Sequence, residues 1–439
     1  MNYNALSLEQ TPPFSVPLPY FLTAPLFAMA AAAVLLFAGP AALASRWAPA
    51  ALAMTHFLTL GFAAMVMLGA MQQLVPVLAG ARIPWPRVVS RGLHGLLSVG
   101  ALSLGMGLYL GQTGLLAIAL GTLGALVTAF VGVAVYSLVH ARAAHATVRS
   151  MTLAVLALAV TGTLGLYLAS GHAFPQIGLP REFTDLHLTW GLLGWVGILV
   201  MGVGYQVVPM FQITPNYPRL VTAWLAPAVF VGLCVWSVSA YLYRSGLTVA
   251  RWPEWLGAIV IGGGIIGFAL TTLELQRRRR RRLRDVTLSF WRLGMGCLAA
   301  SVALWLAQPW LLQAGVDLQL VLGILLIGGF TVSVINGMLY KIVPFLVWLH
   351  LNNRLQQVGR WKGRIPNMKQ VIPERRARLQ FWIHAAAMAA LLMGAWRPAW
   401  FVYPAGLALL VSNALLWANL LPAALLYRRV GVAVGGGAE

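Results

Sequence analysis

Three stretches decide the fold. The first reads His56-FLTL-Gly61-Phe62-AAMVML-Gly69-AMQ-Gln73-LV-Pro76. The second reads Thr189-WGLL-Gly194-Trp195-VGILVM-Gly202-VGY-Gln206-VV-Pro209. The third reads Ile324-LLIG-Gly329-Phe330-TVSVIN-Gly337-MLY-Lys341-IV-Pro344. Each runs glycine, aromatic, a second glycine eight residues after the first, and a closing Val-Pro. The offsets between copies are 133 and 135 residues. An evenly spaced motif is the mark of an internal repeat. Each stretch is apolar over about 20 residues, the length that crosses a bilayer as a helix. Glycines at such spacing let helices approach closely inside a membrane.

The rest of the chain extends the pattern. Of 439 residues, 60% are hydrophobic and 9% charged, against about 25% charged in a soluble domain. A soluble chain of this length has no means of hiding that much apolar surface. This composition excludes a soluble enzyme, a disordered chain and a disulfide scaffold. Twelve apolar runs qualify as spans, at roughly 19–42, 50–79, 92–111, 113–140, 150–170, 185–212, 220–243, 254–275, 287–307, 317–349, 379–396 and 399–427. They do not alternate with period two, so they read as helices and not as barrel strands. The expectation is an all-α membrane protein, one membrane domain over 1–439. Its twelve transmembrane helices fall into three pseudo-symmetric four-helix units, about 16–148, 149–283 and 284–427, with the marked helix second in each.

A net charge of +21 would suggest nucleic acid in a soluble protein. Here the charge is confined to gaps between spans. Six arginines run from Arg277 to Arg282, and eight more Lys or Arg lie from Arg354 to Arg378. Of the 30 Lys and Arg, five follow odd-numbered spans (Arg46, Arg181, Arg244, Arg251, Arg397), Arg292 and Lys341 lie inside spans, and 23 fall in loops after even-numbered spans or in the tail. The positive-inside bias therefore places both termini in the cytoplasm, and the arginine excess suggests a bacterial inner membrane. The 350–378 loop is expected to lie on an anionic inner leaflet, and no nucleic-acid partner is implied. Cys234 and Cys297 fall inside apolar runs and read as packing residues.

Eight histidines remain to be placed. His94, His140, His145, His350 and His384 lie near the cytoplasmic ends of spans and read as interfacial residues. His56, His172 and His187 lie on the outer side, His172 in the loop before span 6. Two neutral imidazoles from neighbouring helices suit the two axial positions of a b-type heme. Met54, Met65, Met67 and Met71, in the same span as His56, make Cu(I) an alternative. Core packing of both histidines is the third. Asp185 either caps span 6 or orients His187. Arg181, Arg244 and Arg251 are outer cations able to meet carboxylates such as heme propionates. Lys341 reads as snorkelling to the inner face, and Gln72, Gln73, Gln206 and Asn336 as bonding across helices or lining a vestibule. The nine acidic residues avoid span interiors, against a carboxylate proton relay.

Three four-helix arcs in a twelve-span chain resemble the catalytic subunit of the heme-copper oxidases. The segment Asp185-Leu186-His187-Leu188-Thr189-Trp190-Gly191-LL-Gly194-Trp195-Val196 is similar to that family's histidine-bearing helix ten. The resemblance implies that His187 stands at its first histidine, Thr189 at its second, and His56 at the second-histidine register of another repeat. The heme-bearing positions of span 10 are instead Leu322 and Ile324, span 7 has no histidine for copper, and no tyrosine is assigned to the family's cross-linked one. What is implied is an oxidase-like fold without a copper–heme reaction centre and not a terminal oxidase. It would bind heme b for electron transfer, for sensing, or in support of respiratory or nitric oxide metabolism, with a redox partner. A permease for a small solute or copper, and a cofactor-free accessory scaffold, are the competing expectations.

Overall fold

The computed structural model describes residues 11–141, 145–246, 251–280, 285–313, 318–358 and 367–434. Arg281, Arg282, Asp317, much of the 350–378 loop and the Arg244 side chain lie outside the described residues. Those described form helices and no strand. Eleven helices are long and apolar enough to cross a membrane: α1 (Leu18–Leu43), α2 (Pro49–Ala79), α3 (Pro86–Leu110), α4 (Thr113–Val139), α5 (Ala146–Ala173), α6 (Arg181–Gln212), α7 (Arg219–Tyr243), α8 (Trp252–Arg277), α9 (Val286–Gln313), α10 (Gln319–Asn353) and α12 (Pro398–Arg429). The expected span at 379–396 is α11 (Glu374–Gly394), which falls short of that measure. Its first turns carry Glu374, Arg375, Arg376 and Arg378, leaving about 24 Å of apolar helix below them, less than a bilayer core.

The helices that carry the repeated motif lie at the centre. Their most apolar windows are 61%, 78% and 72% buried in α2, α6 and α10, against 22–50% for the other candidate spans. Around them the remaining helices follow one another in a closed ring: α1 on α3, α3 on α4, α4 on α5, α5 on α7, α7 on α8, α8 on α9, α9 on α11, α11 on α12, and α12 back on α1.

The motif has a structural counterpart that the sequence pattern did not announce. Each central helix widens into a π-helical stretch at its first glycine and aromatic residue: Phe57–Ala64, Trp190–Gly197 and Ile324–Val332. The stretches of α2 and α6 both touch that of α10. A π turn carries an extra residue and rotates the helix on one side of it relative to the helix on the other. The six motif glycines meet the preceding helix in each case. A Cβ on Gly61 or Gly69 would strike Phe27 or Tyr20 of α1 (2.4 and 2.7 Å). On Gly194 or Gly202 it would press on Ala157 or Ser150 of α5 (3.0 and 2.4 Å), and on Gly329 or Gly337 on Cys297 or Phe290 of α9 (2.7 and 2.8 Å). Glycine is required here for close approach.

Polar side chains within the bundle bond across helices. Gln72 donates to the Tyr20 hydroxyl (3.0 Å), which donates to the Ser90 carbonyl (2.8 Å). Gln276 bonds Gln212 (3.0 Å). Lys341 does not snorkel alone: its Nζ pairs with Asp285 at 2.7 Å. Beside that pair, burial and then the Asp285 charge push the Glu374 carboxyl above its ordinary pKa.

Candidate functional site

His56 is the last residue before the π stretch of α2, and His187 stands three residues before that of α6. Their rings face one another with centroids 6.4 Å apart and planes inclined by 22°. The two helices are far apart in sequence, so this meeting is a tertiary result. Both rings keep accessible surface although they sit on the most buried helices. Leu52, Thr55 and Thr59 on α2, and Leu188, Gly191 and Leu192 on α6, are likewise half-buried.

Hydrogen bonds fix the tautomer of each ring. A backbone carbonyl only accepts, so His56 Nδ1–H donates to the Leu52 carbonyl (2.8 Å) and His187 Nδ1–H to the Thr161 carbonyl of α5 (3.0 Å). Each Nε2 is then left with its lone pair, the arrangement that metal-binding imidazoles adopt. Two metal–nitrogen bonds of about 2 Å, plus about 1 Å from each nitrogen to its ring centre, put two such centres about 6 Å apart. The observed centroid separation, 6.4 Å, is close to that value.

Gly165 of α5 completes the support. A Cβ there would lie 2.7 Å from His187 Cε1, so the ring rests against bare backbone. The sequence did not single out Gly165 or Thr161, because their role is visible only from the neighbouring helix.

The chain next to the two histidines is cationic. Arg46 and Arg181 lie over the ring of Trp47, at 4.8 and 5.4 Å. Arg46 Nη1 bonds Asp185 Oδ1 at 2.9 Å and ties the α1–α2 connection to the start of α6. Arg46 Nε is buried without a partner. Asp185 stands in the first turn of the helical segment that carries His187 and turns one carboxylate oxygen to a guanidinium. His172 belongs to the last turn of α5, not to the loop, and stands near enough to His56 and Arg181 to interact with both electrostatically. Arg251 lies elsewhere, paired with Glu254 (3.6 Å) and stacked on Tyr243.

The remaining candidates separate cleanly. Met54, Met65, Met67 and Met71 are buried members of the hydrophobic core. Among the described residues no group of three or more His, Cys, Asp or Glu is placed to hold a metal ion. Cys234 and Cys297 are free thiols. His140 and His145 are exposed. His94 bonds Thr23 (3.0 Å), and His350 lies between two carbonyls, with Nδ1 2.9 Å from that of Leu346 and Nε2 3.0 Å from that of Pro12. His384 corrects its expectation: it is fully buried between α10 and α11, with Nε2 2.8 Å from Ser333 Oγ.

Comparison with known proteins supplies no relative: no family model matches the chain, and no curated protein matches it.

Proposed function

We propose that the chain is an integral membrane electron carrier that holds one b-type heme between His56 and His187. The observation that carries this reading is the facing pair of imidazoles, 6.4 Å apart, each with Nδ1 tied to a carbonyl and Nε2 free. Bound there, the heme would supply a reversible one-electron couple. His56 and His187 would hold the iron through their Nε2 atoms. Thr161 and Leu52 would hold the ring orientations, and Gly165 would leave His187 its room. Arg46, with its unpartnered Nε, Arg181 and His172 would meet the propionates at the outer mouth.

The same reading extends to architecture. The six glycines, two on each central helix and all packed on the helix before it, favour three four-helix units with an oxidase-like plan. α7 offers no histidine for a copper centre, which favours electron transfer in support of respiration over oxygen chemistry at this chain. Exposed tryptophans suit two interfacial belts. Trp252, Trp310, Trp396 and Trp400 stand at one end of their helices, and Trp85 and Trp224 at the other. The second end is the arginine-rich one, which favours a cytoplasmic face there, with both termini on that side of a bacterial inner membrane.

The experiment is an optical spectrum of the purified protein, oxidised and then dithionite-reduced, with metal analysis of the same sample. One b-type heme per chain, absent from His56→Ala and His187→Ala, is the expected result. One copper per chain with no heme would assign the pair to Cu(I) instead. A colourless, metal-free protein from heme-replete cells would refute the reading in favour of transport or scaffolding.

A further inference from the structure

One arginine on the outside of the bundle is left alone by its own fold. Arg292 is exposed in the second turn of α9 and has no hydrogen-bond or ion-pair partner among the described residues. With Leu273 and Arg277 of α8 it lines an open cleft of about 300 Å³. The nearby carboxylate, Glu274, is shared between Arg277 (3.8 Å) and Arg278 (2.6 Å). Two guanidiniums thus share that one carboxylate while Arg292 has none, so the cleft has a surplus of positive charge. An arginine on the lipid-facing side of a span is costly unless an anion meets it. Arg292 lies about 9 Å along the helix axis from Val286, a depth where a side chain of its length reaches lipid phosphates.

The surface beyond Arg292 adds a second observation. The exposed stripe of α9 continues through Gly296, Ala300 and Ala303. These positions succeed Arg292 at helical spacing on one face. A Cβ on Gly296 would meet nothing within 4 Å. The result is a smooth apolar furrow leading away from a cationic cleft, which is the complement of an amphiphile. A free phosphate would use the arginines and leave the furrow without a purpose.

We propose that α8 and α9 bind an anionic phospholipid, its phosphate between Arg277 and Arg292 and one acyl chain along Gly296, Ala300 and Ala303. The inference is independent of the heme reading, since the two sites share no residue.

Native mass spectrometry of the delipidated full chain, titrated in detergent with phosphatidylglycerol or phosphatidylcholine, tests it. The wild type should hold phosphatidylglycerol about tenfold more tightly, the scale of one charge-assisted contact. Arg292→Gln should abolish that preference, and Arg277→Gln, on the other helix, should weaken it. Gly296→Leu with Ala300→Leu should lower phosphatidylglycerol affinity with Arg292 intact. These positions are exposed, so monodisperse elution is expected for all. No preference in the wild type, or an unchanged preference in Arg292→Gln, would overturn the proposal. Sensitivity to Arg292→Gln with none to the furrow substitutions would mark a phosphate site and overturn the lipid assignment.

Discussion

Two histidine environments in this molecule begin from the same part, a π-widened central helix, and end differently. Where α2 and α6 bring them together, His56 and His187 each give Nδ1–H to a carbonyl and keep Nε2 unpaired. Between α10 and α11, the Ser333 hydroxyl donates to the Gly328 carbonyl (3.3 Å) and accepts from His384 Nε2 (2.8 Å). His384 therefore carries the opposite tautomer and spends its Nε2 on the core, with no surface left exposed. The lesson is that a histidine deep in a helical bundle is sorted by which nitrogen the protein engages, not by depth. A ring held through Nδ1 beside a second such ring keeps Nε2 available, as the heme proposal requires. A ring held through Nε2 in a sealed pocket is a packing residue with a polar tip.

The comparison breaks most readily on the largest expected effect. His56→Ala and His187→Ala should each remove stoichiometric heme, whereas His384→Ala should leave the spectrum of the purified protein unchanged. Heme loss in His384→Ala alone would reverse the assignment of the two sites. Next in size is Gly165→Ala. Its new methyl would strike His187, and heme retention during dialysis against apomyoglobin should fall about tenfold, the scale of a bond displaced from good geometry. Retention equal to wild type would mean that α5 does not position the ring. On the core side, Ser333→Ala strands a buried imidazole nitrogen and should cost about 1–3 kcal/mol of stability, read as a lower thermal midpoint in detergent with heme content unchanged. The smallest effect belongs to Arg46→Gln. Its bond to Asp185 is partly exposed, with side-chain accessibilities of 27% and 40%, so stability should change by less than about 1 kcal/mol. The heme midpoint potential should nevertheless fall, because a cation near the propionates favours the reduced, less positive iron. A changed melting point with an unmoved potential would make Arg46 a structural residue only.

Much of the fold was legible because its determinants are local. Apolar runs of span length and glycines in one register announce themselves within a single stretch, and they located α2, α6 and α10 as a related set. The π stretches were not legible, since they arise from how glycine-lined helices settle against their neighbours. The site was legible in half. His56 and His187 were named as outer-side imidazoles, but Thr161 and Gly165 act through contacts with another helix and carry no signature of their own. The partner of Asp185 was hidden for the same reason, since Arg46 lies 139 residues away. His384 misled because it follows a basic loop in sequence, while α11 folds it inward against α10.

The central claim is that two imidazoles share one iron. Electron paramagnetic resonance of the oxidised, purified wild type against His56→Ala and His187→Ala reconstituted with hemin tests it most directly. The account predicts a low-spin ferric signal in the wild type and conversion to high spin in each variant that retains heme. A high-spin wild type, or a low-spin signal that survives both substitutions, would contradict it.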